Sequence, residues 1–278
     1  MSVIFDRRID HGIITSSSPG DTWLNWKEQE ESWLFVAAHD DDIIIGAGLT
    51  FLAGVEIGVN LHAAVISNGC MGYCTPEERK TISQVRYEET RTSFAHLGLP
   101  LENLHQFDYD DGNLHQEMGR RFTDHAADSR AIGGAVGLQN TMTWLLRHIK
   151  PTRIFIPNRL DLHPDHRAVN NEMVISIFHA QGEIWPELGP PIQALPTLYE
   201  YATYSDFIAP PTIRTCVSDD LFEKRLQGIA MFKSQRQINL IVDEVRRTGG
   251  NEYLLERTFD IFHAEKYTTM FSRKNIFK

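Results

Sequence analysis

The stretch WLFVAAHDDDIIIGAGLTFLAGVEI, residues 33–57, limits the folds open to this chain. An apolar run of strand length (33–38) leads into one histidine and three consecutive aspartates, and a longer apolar run (43–57) then reads as a buried helix. Strands that are apolar on both sides belong to sheets covered on both faces, as parallel sheets are. The acidic triplet is the odd part. Three adjacent carboxylates repel one another, and a solvated acidic turn needs no apolar flank on each side. A divalent cation would offset the repulsion, and the N-terminus of the following helix would favour the charge that remains.

The same alternation runs on. LHAAVIS (61–67) predicts a strand, and Thr75 to Leu97 predicts a long helix that opens on Thr-Pro-Glu-Glu and stops at Gly98 and Pro100. A brief strand and an Asp111-Gly112 turn lie in NLHQFDYDDGNL (103–114), and helical spacing returns at 135–149. TRIFIPN (152–158) is a clear strand, 181–196 reads as a proline-rich loop, and a helix is expected near 219–232. Together these give an α/β chain with a mostly parallel sheet and helices on both faces. No repeat or linker divides it, so residues 1–278 are expected to form one domain, with a core at about 30–240 and a C-terminal extension at about 241–278.

Composition narrows the function. A net charge of -10 without any Lys/Arg-rich run argues against nucleic acid or an anionic membrane as partner and favours a small, neutral, polar substrate. No segment approaches the roughly 20 apolar residues of a membrane span, so a cytoplasmic location is expected. Cys70, Cys74 and Cys216 are too few and too unevenly spaced for a disulfide framework and read as free thiols. Gly46-Ala47-Gly48 lacks the third glycine of a dinucleotide fingerprint and suits close helix packing, while no Gly-x-Ser-x-Gly elbow is present.

Open parallel sheets bind ligands at the carboxyl ends of their strands. Two predicted strands deliver polar clusters there: His39-Asp40-Asp41-Asp42, and Asp161-Leu162-His163-Pro164-Asp165-His166. Either alone is usually a turn or a helix cap; two on one rim supply the imidazoles and carboxylates of a metal site with a position left for water. His39 at a strand end and Asp42 in the first helical turn can converge on one ion, with His166 approaching from the second loop. Asp41 is then free to act as general base, and His163 to stabilise or protonate the developing tetrahedral species.

These residues resemble the PIG-L/LmbE-like zinc-dependent deacetylases, which act on N-acetylglucosaminyl compounds. The family's Ala-His-Pro-Asp-Asp-Glu corresponds to Ala38-His39-Asp40-Asp41-Asp42-Ile43, and its His-Pro-Asp-His to His163–His166 unchanged. VISNGCMG (65–72), Arg86 and Glu89 before Leu97-Gly98, Asp111-Gly112, and Lys224 with Ser234-Gln235 extend the likeness over about 33–240. The resemblance implies a Rossmann-like fold and one Zn2+ per chain held by His39, Asp42 and His166. It implies Asp41 as general base, His163 as stabiliser or acid, and Asp165 as the group that orients His163. Arg86 and Asp111 would face the sugar, although Arg86 could instead pair with Glu89 on its helix and Asp111 could simply make a turn.

Asp40 and Ile43 replace the family's proline and glutamate, which keeps a non-catalytic sugar-binding protein open as an alternative. A metal-dependent phosphoesterase is the other; it would normally need a second metal and ligands that the two motifs do not supply. Substrate preference is expected from loops 69–76, 112–134 and 181–197. The aromatic ending, 258–277, could pack on the sheet, line the substrate entrance or bury against a second copy in a homo-oligomer.

Overall fold

The computed structural model describes residues 2–125, 128–258 and 265–268. A hairpin of β1 (Val3–Ile9) and β2 (Gly12–Ser16) precedes a short helix α1 (Pro19–Thr22). The expected alternation follows: β3 (Ser32–Ala37), α2 (Asp42–Glu56), β4 (Asn60–Ser67), α3 (Ile82–Leu97) and β5 (Leu104–Tyr109). A small ladder of β6 (Arg121–Phe122) and β7 (Ala135–Val136) leads to α4 (Leu138–Ile149), β8 (Arg153–Pro157), α5 (Pro164–Gln181) and β9 (Thr197–Tyr201). The chain continues through β10 (Ile213–Val217), α6 (Asp219–Ile229), α7 (Ile238–Thr248) and β11 (Asn251–Arg257) to a last turn, α8 (Glu265–Thr268).

One nine-stranded sheet organises these elements in the order β2-β1-β10-β11-β9-β8-β3-β4-β5. The strands from β9 to β5 pair parallel, as expected, whereas β2, β1, β10 and β11 add an antiparallel wing. The sheet is therefore mixed, and its parallel half carries the Rossmann-like order. Growth proceeds from β3 through β4 to β5, then reverses and runs from β8 to β9. The reversal leaves a crevice between β3 and β8 at their carboxyl ends, the usual ligand position of such sheets.

Strand alternation builds two cores. Trp33, Phe35 and Ala37 of β3 face the layer of α2, α3 and α6, while Leu34, Val36 and Ala38 face α4 and α5. Gly46 lets α2 approach β9: a Cβ there would stand 2.5 Å from Cδ2 of Tyr201 and 3.0 Å from the Ala202 carbonyl oxygen. Close packing is thus what this glycine serves.

The helix expected from Thr75 begins instead at Ile82. The Glu78 carboxylate accepts from the backbone N–H groups of Cys74 and Thr75 at 2.7 and 3.0 Å, closing a separate turn that ends in a 3-10 helix at Glu78–Lys80. Gly98, at φ 101°, ends α3 in the left-handed region as expected. No described helix is long and apolar enough to cross a membrane. The aromatic ending lies mostly outside the described residues.

Candidate active site

The loop after β3 and the first turn of α2 carry His39 to Asp42, and the loop after β8 with the first turn of α5 carries Asp161 to His166. Although 124 positions separate Asp42 from His166 (166 − 42), the switch in strand order brings them together. His39 Nδ1 lies 3.1 Å from His166 Nε2, His166 Nε2 lies 3.1 Å from Asp42 Oδ2, and the third side, His39 Nδ1 to Asp42 Oδ2, is 3.4 Å. A tetrahedral ion with bonds of about 2.0–2.1 Å separates its ligand atoms by about 3.3–3.4 Å. This triangle fits such an ion. Asp42 Oδ1, buried and without a hydrogen-bond partner, leaves that carboxylate capacity for a cation.

Wider groups of donors overlap the triangle: those of His39, His163 and His166, and those of His39, Asp111 and Asp165, each lie within 4.8 Å of one another. The carboxylates meet the opposite ring nitrogen, with Asp111 Oδ1 3.1 Å and Asp165 Oδ2 3.5 Å from His39 Nε2. Asp161 Oδ1 is likewise 3.3 Å from His166 Nδ1. Carboxylates behind the remaining ring nitrogens orient metal-ligating imidazoles and raise their basicity. The 3.1–3.4 Å triangle could hold a metal ion, with the Asp111, Asp165 and Asp161 carboxylates standing behind its two imidazoles.

The electrostatics follow from this crowding. Burial disfavours a charged Asp42, but the adjoining His166 and His39 outweigh it and hold the carboxyl well below its usual range. Burial likewise opposes a charged His166, yet Asp42 and Asp161 push it up to about 9. Burial and the Asp42 charge raise Asp41, with the Gln235 amide pulling the other way from 2.5 Å. Asp40 is pushed up to about 7 by burial and by Asp41, against the pull of Arg86. His163 is lowered by burial and by the two neighbouring histidines, which favours its neutral form. Because His163 Nδ1 accepts the backbone N–H of Asp165 at 3.2 Å, the neutral ring carries its proton on Nε2.

Other expected roles are placed differently. Asp165 does not orient His163 through its carboxylate; that group accepts from the N–H of Gly112 and Leu114 at 2.7 and 3.1 Å and faces His39. Its backbone, not its side chain, fixes His163. Arg86 does not pair with Glu89: Nη1 lies 3.1 Å from Asp40 Oδ2, while Glu89 accepts from Ser234 N and Oγ at 2.8 and 2.6 Å. Asp40, standing where the family has proline, therefore supplies the partner for Arg86. Arg86 and Asp111 both line a cavity of about 770 Å³ together with His39, Asp41 and His163.

Several participants carry no motif. The Tyr204 ring stacks on His166 at 5.4 Å and lines the cavity. Arg225 and Glu252, both buried, attach to the second turn of α2. Glu252 accepts from the N–H groups of Leu49 and Thr50 at 3.0 and 2.8 Å. Arg225 donates to the Ile44 carbonyl at 2.9 Å and also to that of Ile45. An ion pair, at 3.6 Å, thus inserts beside the turn that presents Asp41 and Asp42. Only helical glycines at Gly46 and Gly48 hinted at so close an approach; a Cβ on Gly48 would lie 3.1 Å from Arg225 Nε.

The sequence profile of the PIG-L family, described as GlcNAc-PI de-N-acetylase, matches residues 34–177, just over half of the 278-residue chain. The chain belongs to the PIG-L family. Within it, a 1D-myo-inositol 2-acetamido-2-deoxy-alpha-D-glucopyranoside deacetylase of Kineococcus radiotolerans is 26% identical over 172 residues, covering 56% of this chain and 47% of its own length. This PIG-L chain therefore spans about half the length of that curated relative. Among solved structures, an N,N'-diacetylchitobiose deacetylase from Pyrococcus horikoshii superposes with a TM-score of 0.65 at 19% identity, over 86% of this chain and 88% of that one. The 4-carboxy-2-hydroxymuconate hydratase of Pseudomonas putida reaches 0.60 at 18% identity, over 84% and 98%. Both likenesses establish the fold, and the second marks that the fold alone does not choose the reaction.

Proposed function

We propose that this protein is a metal-dependent hydrolase that removes the acetyl group from an N-acetylated amino sugar or its conjugate, with one Zn2+ held by His39, Asp42 and His166. The observation that carries the reading is the 3.1–3.4 Å triangle of two imidazole nitrogens and one carboxylate oxygen at the sheet's switch point, with a buried aspartate beside it. Family membership and a curated deacetylase relative support the same class. We also read the chain as one domain, because strands from both of its ends join a single sheet.

A bound zinc ion supplies Lewis acidity, polarising the amide carbonyl and making water a stronger acid. The protein does the rest. Asp41, raised by burial and by Asp42 and steadied by Gln235, accepts the proton of the attacking water. His163, neutral with its proton on Nε2, donates a hydrogen bond to the oxygen that becomes negative as the carbonyl turns tetrahedral. The proton that Asp41 takes from the water then passes to the departing amine nitrogen as the C–N bond breaks, and His163 keeps its own. Asp111, Asp165 and Asp161 keep the two ligand imidazoles oriented, and Arg86 and Asp111 are the groups assigned to sugar hydroxyls, a reading supported by their place in the cavity lining.

The test is release of primary amine and acetate from N-acetylglucosaminides by metal-loaded protein. Asp41→Ala should keep its metal and lose about 10²–10⁴-fold in turnover. Turnover by Asp41→Ala equal to wild type would remove the base from the account; fully metallated protein that binds such sugars without releasing amine would favour the binding-protein alternative.

A further inference from the structure

The cavity has a lining of two unlike kinds. His39, Asp40, Asp41, Arg86, Asp111 and His163 form one part of the lining; Ile45 of α2, one turn beyond Asp41, and Leu240, Ile241 and Val245 of α7, interspersed with Gln237, Glu244 and Thr248, form another. Helix α7 is amphipathic: Ile238, Ile241, Val242 and Val245 pack toward the core, with Ile241 and Val245 also reaching the cavity, whereas Leu240 is 68% exposed and contributes to the cavity wall. A single exposed leucine is unremarkable. Here, however, it extends an apolar strip that shares a cavity with the catalytic cluster. About 770 Å³ falls in the upper part of the range, ~300–1,000 Å³, that encloses drug-sized ligands, and leaves room beyond one sugar ring.

Charge sets the chemistry of what fills that room. Of the cavity's two arginines, Arg86 is paired with Asp40 and Arg225 with Glu252. Asp41, Asp111 and Glu244 add carboxylates to the wall, and Glu244 is itself paired with Arg247. Arg86 keeps a buried Nε without a partner, but it stands beside Asp40 next to the metal triangle; away from the triangle the described lining offers a phosphate or carboxylate no cation but Arg225, already paired.

We propose that Ile45, Leu240, Ile241 and Val245 form an aglycone subsite, so that the preferred substrate is an N-acetylated amino sugar linked to a neutral apolar group, not a free sugar or a sugar phosphate. The inference rests on the deacetylase reading and deepens it. The occupant follows from continuity: a group attached to a sugar whose acetamide sits at the metal triangle extends along the same cavity onto α7.

The experiment compares amine release by metal-loaded protein from the octyl and methyl glycosides of N-acetylglucosamine, below micelle-forming concentrations, and from N-acetylglucosamine 1-phosphate. The octyl glycoside should exceed the methyl in kcat/KM by about 10–100-fold, through buried methylenes, and the phosphate should be poorest. Leu240→Asp should collapse the octyl-to-methyl ratio toward one, and Leu240→Met should restore it. Equal rates for the two glycosides, a ratio indifferent to Leu240→Asp, or preference for the phosphate would overturn the subsite. If no compound releases amine, the deacetylase reading fails. Calorimetric binding of octyl against methyl glycoside then decides the subsite alone, with tighter octyl binding supporting it and equal binding refuting it.

Discussion

Replacing Glu252 by leucine tests how α2 is held against the catalytic rim. The substitution strips the acceptor from the Leu49 and Thr50 N–H groups and leaves the Arg225 guanidinium buried with carbonyl partners alone. Removing one member of a buried ion pair costs about 3–5 kcal/mol, and each kcal/mol lowers Tm by about 2–4 °C in a protein near this size. Glu252→Leu should therefore unfold roughly 6–20 °C below wild type when both are metal-free. The double variant Arg225→Met with Glu252→Leu should recover most of that loss, because apolar replacements of a buried pair are often neutral or better. The Leu49 and Thr50 N–H groups lie within α2, whose own carbonyls can accept them. Turnover should not recover with it, since the turn bearing Asp41 and Asp42 loses its external hold. Thermal unfolding followed by amine-release kinetics on the three proteins decides the matter. A single variant within about 1 kcal/mol of wild type, or a double variant with wild-type turnover, would refute the reasoning.

Three further outcomes follow. Imidazole ligands must be deprotonated to bind metal, and His166 sits at about 9 through Asp42 and Asp161. Metal affinity should therefore rise with pH between about 6 and 9, by up to about tenfold per unit for each proton displaced, as read in chelator-buffered titrations. A pH-independent affinity would contradict the arrangement. Gly46→Ala should lower stability by about 1–3 kcal/mol through its clash with Tyr201 and the Ala202 carbonyl, measured by urea unfolding. Arg147, which donates to the carbonyls of His179, Ala180, Gly182, Trp185 and Gly189, ties the end of α5 to the loop after it. Arg147→Met should speed amide exchange across residues 182–189 while leaving exchange in β3 unchanged; no change in that loop would sink the claim.

The legible parts of the sequence were those where local pattern and tertiary role coincide. WLFVAA and TRIFIPN are apolar on both faces because the sheet is covered on both faces, and their polar sequels mark the rim. The antiparallel wing escaped because its strands are mixed in character: β2 is largely exposed, and β10 and β11 alternate imperfectly. Long-range geometry was equally hidden. Nothing local in Asp165 tells that its carboxylate turns to His39 and its N–H to His163, and nothing in Glu252 announces Leu49. Substrate-facing residues were expected from loops 69–76, 112–134 and 181–197. The first contributes Gly69 and Gly72, but the described lining contains none from the other two, and α7 supplies the wall instead. Amphipathic periodicity places a helix against a core; it does not reveal which flank borders a cavity.

The most direct measurement is elemental metal content per chain on wild type and His166→Ala, purified side by side and exposed to the same zinc concentration before desalting. About one ion per wild-type chain and almost none per variant chain is the predicted result. Equal content in the two, or no retained metal in wild type, would contradict the metal triangle and the hydrolase built on it.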